Sequence, residues 1–68
     1  MPVAKVIEVS ATSPESFEDA IQRGITRASE SVDNIRGAWV KEQHVDVEES
    51  RVVDYRVDLK VTFVVEKE

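Results

Sequence analysis

The chain has 68 residues, 14 acidic and 9 basic, a formal charge of −5 and no cysteine. That length allows one domain, spanning residues 1–68, with one small core, and the missing thiols exclude disulfides, thiol chemistry and cysteine zinc sites. Its basic residues are scattered, which disfavours nucleic acid as a partner, since phosphate binding needs a basic stripe.

Val3 to Val9 is the first apolar run, interrupted by Lys5 and Glu8 and rich in β-branched residues, and it predicts strand one. Met1-Pro2-Val3-Ala4-Lys5 leads into it without the apolar h-region of a signal peptide. No apolar run in the chain approaches the roughly 18 residues of a membrane span, so no membrane partner is expected and the expected location is cytoplasmic.

Ser10-Ala11-Thr12-Ser13-Pro14 breaks the pattern and predicts a helix start, with Ser13 as N-cap and Pro14 at the first helical position. Phe17, Ala20, Ile21, Ile25, Ala28 and Val32 then recur on one helical face. Gly24 falls near that stripe, where it would let the backbone approach a sheet closely. The helix is expected to run from Pro14 to Val32 and to end near Asp33-Asn34.

The remainder reads as a hairpin: strand two from Ile35 to about Val47, a connection over Glu48-Glu49-Ser50-Arg51, and strand three from Val52 to Glu66. Val53, Tyr55, Val57, Leu59, Val61, Phe63 and Val65 alternate with Asp54, Arg56, Asp58, Lys60, Thr62 and Glu66, so one face is buried and the other wet. Strand one is expected to pair with strand three, on the side opposite strand two. A strand of 13 residues spans roughly 43 Å, whereas a helix of 19 covers only about 28 Å. One helix cannot cover such a sheet, and the surplus apolar surface and open strand edges predict a homo-oligomer.

Trp39 is the only tryptophan. Strict alternation puts it on the strand-two face carrying Gly37, Lys41 and Gln43, where a large aromatic serves either subunit packing or stacking of a flat ligand. Arg56 is suited to a cross-strand ion pair or to contact with a ligand's carbonyl or phosphate edge. His44, the only histidine, reads as a surface residue, or else as a ligand contact or metal ligand. Asp46, Glu48 and Glu49 form the densest acidic cluster, either a solvated turn or, with Glu42, oxygen donors for a divalent cation shared between subunits. No nucleophile–base pair or opposed carboxylate pair of an enzyme is evident, and binding without turnover is the expected activity.

The β-α-β-β order, the Thr12-Ser13-Pro14-Glu15-Ser16 helix start, Arg27-Ala28 with Ser31-Val32-Asp33-Asn34, Tyr55-Arg56-Val57 and Val61-Thr62-Phe63 together resemble the dodecin family over nearly the whole chain. The resemblance implies an α+β fold with a three-stranded antiparallel sheet partly wrapped around one helix. It also implies assembly into a hollow homododecamer and a non-catalytic role in flavin (riboflavin or FMN) storage or sequestration. In the family, flavins stack in pairs between tryptophans of symmetry-related subunits. That tryptophan falls at Gly37 here, Trp39 stands where the family has an acidic residue, and the glutamine that hydrogen-bonds the flavin edge corresponds to Arg56. Some relatives lacking the aromatic are associated with calcium, which leaves a divalent cation, another small molecule or a purely structural assembly as the alternative.

Overall fold

A computed structural model describes residues 3–65. Strand β1 (Ala4–Ser13) leads to helix α1 (Phe17–Ala28), followed by strands β2 (Ile35–Glu48) and β3 (Arg51–Val64). All pairings are antiparallel and the sheet order is β1-β3-β2, so β3 is central and the first and second strands are its edges, as the hairpin argument requires. Glu66, the expected end of strand three, lies outside the described residues.

Three expected boundaries are corrected. The first strand does not stop at Val9: Ser10 to Ser13 continue the ladder opposite Asp58 to Tyr55. What reads as a polar break is ordinary alternation, with exposed Ser10 and Thr12 on one face and half-buried Ala11 and buried Ser13 on the other. The N-cap is Ser16, not Ser13, and Pro14 precedes the helix. Ser16 has extended backbone angles and its Oγ accepts the Asp19 N–H at 2.9 Å. At the other end α1 stops at Ala28, and hydrogen-bonded turns through Val32 bring the chain to Asn34. Asn34, at φ 64°, takes the left-handed conformation immediately before β2, so it closes the connection rather than the helix.

Ser13 does something the cap assignment concealed. Fully buried, it donates its hydroxyl to Asp19 Oδ2 at 2.6 Å and accepts the Glu15 N–H at 2.9 Å, tying the end of β1 to the first turn of α1. Arg23 Nε reaches the same carboxylate oxygen at 2.6 Å. The Ser13 hydroxyl first, and the Arg23 guanidinium with it, hold the Asp19 carboxyl below its ordinary range against an opposing effect of burial. A carboxylate lowered in the native state contributes stability above its unfolded value of about 3.9 and loses it as the pH falls through the native value. Thermal midpoints are therefore expected to drop on acidification below about pH 4, and Asp19→Asn to be less stable at neutral pH with a shallower acid limb. An unchanged acid limb in that variant would contradict the assignment.

One core joins helix and sheet. Val57, Leu59 and Val61 of β3 are fully buried with Ala20, and Ile7, Val9, Ala11, Phe17, Ile21, Ile25 and Ile35 pack around them. Phe17 meets Tyr55 edge to face at a centroid distance of 5.1 Å. Gly24 provides the close approach expected of it: a Cβ there would lie 3.0 Å from Leu59 Cδ1 and 3.2 Å from Ala11 Cβ. At 12 residues the helix is shorter than the sequence suggests, about 18 Å, while the chain extends 53 Å along its long axis. The helix packs on β1 and β3, leaving β2 exposed over most of its length.

Candidate functional site

The sheet face turned away from α1 carries the residues with chemistry to offer. Alternation along β3 places Asp54, Arg56, Asp58, Lys60 and Thr62 there, and β1 adds Glu8, Ser10 and Thr12 as their register partners. The second strand is not a simple alternation. Its pairing with β3 slips between Val40 and Glu42, so that Val40 opposes Leu59 and Glu42 opposes Asp58, with Lys41 as the extra residue of a bulge.

That bulge corrects the expected company of Trp39. Gln43 is opposite buried Val57 and leaves the tryptophan's face, while Glu42, His44 and Asp46 join Gly37 and Trp39 on it. Lys41 stays, reaching over the sheet to Glu8 Oε1 at 3.3 Å. Bulges bend a strand and re-aim its side chains. Here the one-residue slip gathers onto one surface groups that strict alternation would divide between two.

Two regions result. At one end Trp39 is 65% exposed beside Gly37, where an added Cβ would meet nothing within 4 Å. Arg36, Gly37, Ala38, Trp39 and Thr62 line a shallow hollow of about 350 Å³ at this point. Toward the hairpin turn, Asp46 accepts from His44 Nε2 at 3.1 Å and from Arg56 Nη2 at 3.3 Å, so the cross-strand ion pair expected of Arg56 is formed. Two carboxylate pairs face each other across the ladder, Glu42 with Asp58 and Asp46 with Asp54. Like charges directly opposite are unfavourable, and each pair has a local partner: Ser10 Oγ donates to Asp58 at 2.6 Å, and His44 and Arg56 hold Asp46.

The expected site residues are thus only partly brought together. Gly37 and Trp39 share the hollow, and His44, Asp46 and Arg56 share an ionic cluster further along the face. The suggested cation donors separate: Glu42 opposes Asp58, Asp46 is engaged by His44 and Arg56, and Glu48 sits at the hairpin end opposite Arg51. Among the described residues of one chain, no three His, Asp or Glu side chains form a group able to hold a metal ion. Asp58, Ser10 and Thr62 were not singled out beforehand. Alternation on β3 already puts Asp58 and Thr62 on the wet face, but the opposition of Asp58 to Glu42 depends on the bulge.

The sequence model of the Dodecin family matches residues 3–66. The chain belongs to the dodecin family. It is 44% identical over 63 residues, 93% of this chain and 89% of the relative, to calcium dodecin of Mycobacterium tuberculosis. The crystal structure of that calcium-chelating dodecin superposes with a TM-score of 0.81 at 41% identity, covering 97% of this chain and 94% of that one. A Thermus thermophilus protein matches with a TM-score of 0.92 at 34% identity over the full length of both chains. A dodecin from Streptomyces davaonensis gives 0.91 at 29% identity over 97% of each chain. The three-stranded antiparallel sheet with one helix is the dodecin fold.

Proposed function

We propose that the protein is the subunit of a hollow homododecamer that binds and sequesters a small ligand without turning it over, the ligand lying on the open sheet face between copies. The observation that carries this reading is Trp39, a large aromatic 65% exposed on a sheet face that the helix does not cover. Exposed Val40, Val47 and Val52, together with the unpaired edges of β1 and β2, are a liability in a lone chain and support its assembly.

Flat aromatic ligands suit the hollow, with riboflavin or FMN the named candidate. Trp39 offers an open ring face, and Gly37 leaves free the space that a ring at that position would fill. The stack differs from the family's own, because the tryptophan is displaced by two residues, about 6.6 Å along the strand. Arg56 is a donor only, and its guanidinium is already held by Asp46.

A second reading is favoured by two specific observations: the opposed carboxylates Glu42/Asp58 and Asp46/Asp54, and the 44% identity to a dodecin named for calcium. The described residues of one chain do not assemble a set of donors for the ion, so copies related by symmetry would have to complete it.

Both readings are tested on the same sample. Riboflavin titrated into protein of dodecameric mass is expected to lose fluorescence and to quench Trp39 at micromolar concentrations, and calcium titrated by calorimetry reports the second reading. Heat from calcium without flavin quenching would replace the first reading by the second. Silence in both titrations would leave only a structural assembly.

A further inference from the structure

Two of the three slips in the pairing of β2 with β3 lie on either side of Trp39, and each leaves a cation as the extra residue. Between Ile35, opposite Phe63, and Gly37, opposite Thr62, that residue is Arg36; between Val40 and Glu42 it is Lys41. Gly37 to Val40 therefore form a short regular ladder bracketed by two bulged basic residues. A third cation is set by the ladder itself. Trp39 is directly opposite Lys60, a position that brings the two Cβ atoms within about 5.5 Å of each other.

Strict alternation would put Arg36 on the face opposite Gly37 and Trp39. The bulge undoes that division, and Arg36 lines the hollow together with Gly37, Trp39 and Thr62.

Charge on the open sheet face is segregated as a result. Around Trp39 stand Arg36, Lys41 and Lys60, three of the chain's nine basic residues, against one carboxylate, Glu8, which is the register partner of Lys60 and the ion partner of Lys41 at 3.3 Å. Toward the hairpin turn the balance reverses, with Glu42, Asp46, Asp54 and Asp58 against Arg56 and His44. An excess of cations around the aromatic platform runs against the formal charge of −5. A neutral ring does not call for it, whereas an anionic substituent on the ring does.

We propose that the hollow selects a planar heteroaromatic ligand that carries a phosphate, its ring on Trp39 and its phosphate met by Arg36 and Lys60, so that FMN is taken in preference to riboflavin. The inference rests on the stacking reading above and names the residues that decide its specificity. The carboxylate end of the face fixes the ligand's direction. A phosphate turned toward Glu42 and Asp58 meets repulsion, and one turned toward Arg36 and Thr62 meets donors. Arg36 supplies a guanidinium fork that matches phosphate oxygens, and Lys60 a point charge beside the ring. Glu8 holds Lys41 and so withholds one lysine from the ligand.

FMN and riboflavin titrated separately into the full chain at its assembled mass, at low and high ionic strength, test this by flavin and Trp39 fluorescence. FMN is expected to bind at least about tenfold more tightly at low salt, the usual weight of a hydrogen bond between charged groups, and the preference should shrink as salt screens it. Lys60→Met and Arg36→Gln, each with its melting temperature measured, should cut the FMN-to-riboflavin ratio several-fold. Glu8→Gln should raise it, because that change releases Lys41 and removes the opposing carboxylate, a gain that a merely structural role for these residues would not produce. Trp39→Ala should weaken both ligands and keep their ratio. Equal affinities for the two flavins, or a ratio that none of the Arg36, Lys60 and Glu8 variants moves, would overturn the selection and leave the stacking reading standing. Silence of both flavins would remove the stacking reading and the selection with it.

Discussion

Replacing Gly24 with alanine is expected to destabilise the subunit by about 1–3 kcal/mol, the usual cost of overpacking a filled core. In an exposed helix the same change would stabilise by about 1 kcal/mol, so the sign of the result reports how α1 is seated. Two atoms decide it. Leu59 Cδ1 would lie 3.0 Å from the new methyl and Ala11 Cβ 3.2 Å from it. Ala11 has no torsion through which to retreat, and Leu59 is fully buried among Val57, Val61 and Ala20. The helix must therefore lift from the sheet, loosening the contact along its length. Urea denaturation of the single variant gives the cost. The same change in a Leu59→Ala background should cost clearly less, because one of the two obstructing methyls is gone while Ala11 remains, and that non-additivity would separate close packing from a general loss of helix. Stabilisation by Gly24→Ala in the otherwise unaltered chain would show that helix and sheet are further apart than described.

The same contact shows how much of this fold could be read in advance. Gly24 within an apolar helical stripe signals close approach, and seven alternating apolar residues on strand three fix its buried face, because both patterns repeat with the geometry of the element that bears them. Strand order follows from the hairpin and one return connection. Local chemistry misleads where a residue's partner is distant in sequence. Ser13 and Pro14 look like a helix start, but pairing with Tyr55 keeps Ser13 in the strand and Asp19 occupies its hydroxyl. The bulge at Lys41 has no composition signal at all, since neither glycine nor proline marks it. It exists only in the match between two strands. The candidate site inherits that blindness: Trp39, Arg56, His44 and Asp46 were recognisable as individual residues, whereas their common face depended on a slip of one residue.

On the proposed flavin reading, removing the Trp39 ring should weaken binding by about ten- to a hundredfold, since an aromatic stacking partner contributes on the order of 1–3 kcal/mol by alanine substitution. Fold stability should change little, because the ring is 65% exposed and lies outside the buried core cluster of the described residues. Trp39→Phe is expected to retain most of the affinity, since a phenyl face still stacks, which distinguishes the loss of a platform from a change in strand two. Light scattering on the same samples settles the competing role. If Trp39→Ala keeps the assembled mass and loses flavin, the ring is a ligand platform. If it dissociates the particle while Trp39→Phe does not, the ring is packing between subunits, and the calcium reading with its carboxylates becomes the stronger one. The hollow beside Gly37 permits a further arm: Gly37→Val fills the space where a ligand ring would lie, and its Cβ would meet nothing within 4 Å. Loss of flavin quenching with the wild-type melting temperature would place the ligand over Gly37 and against Trp39. Unchanged quenching would remove the hollow from the site.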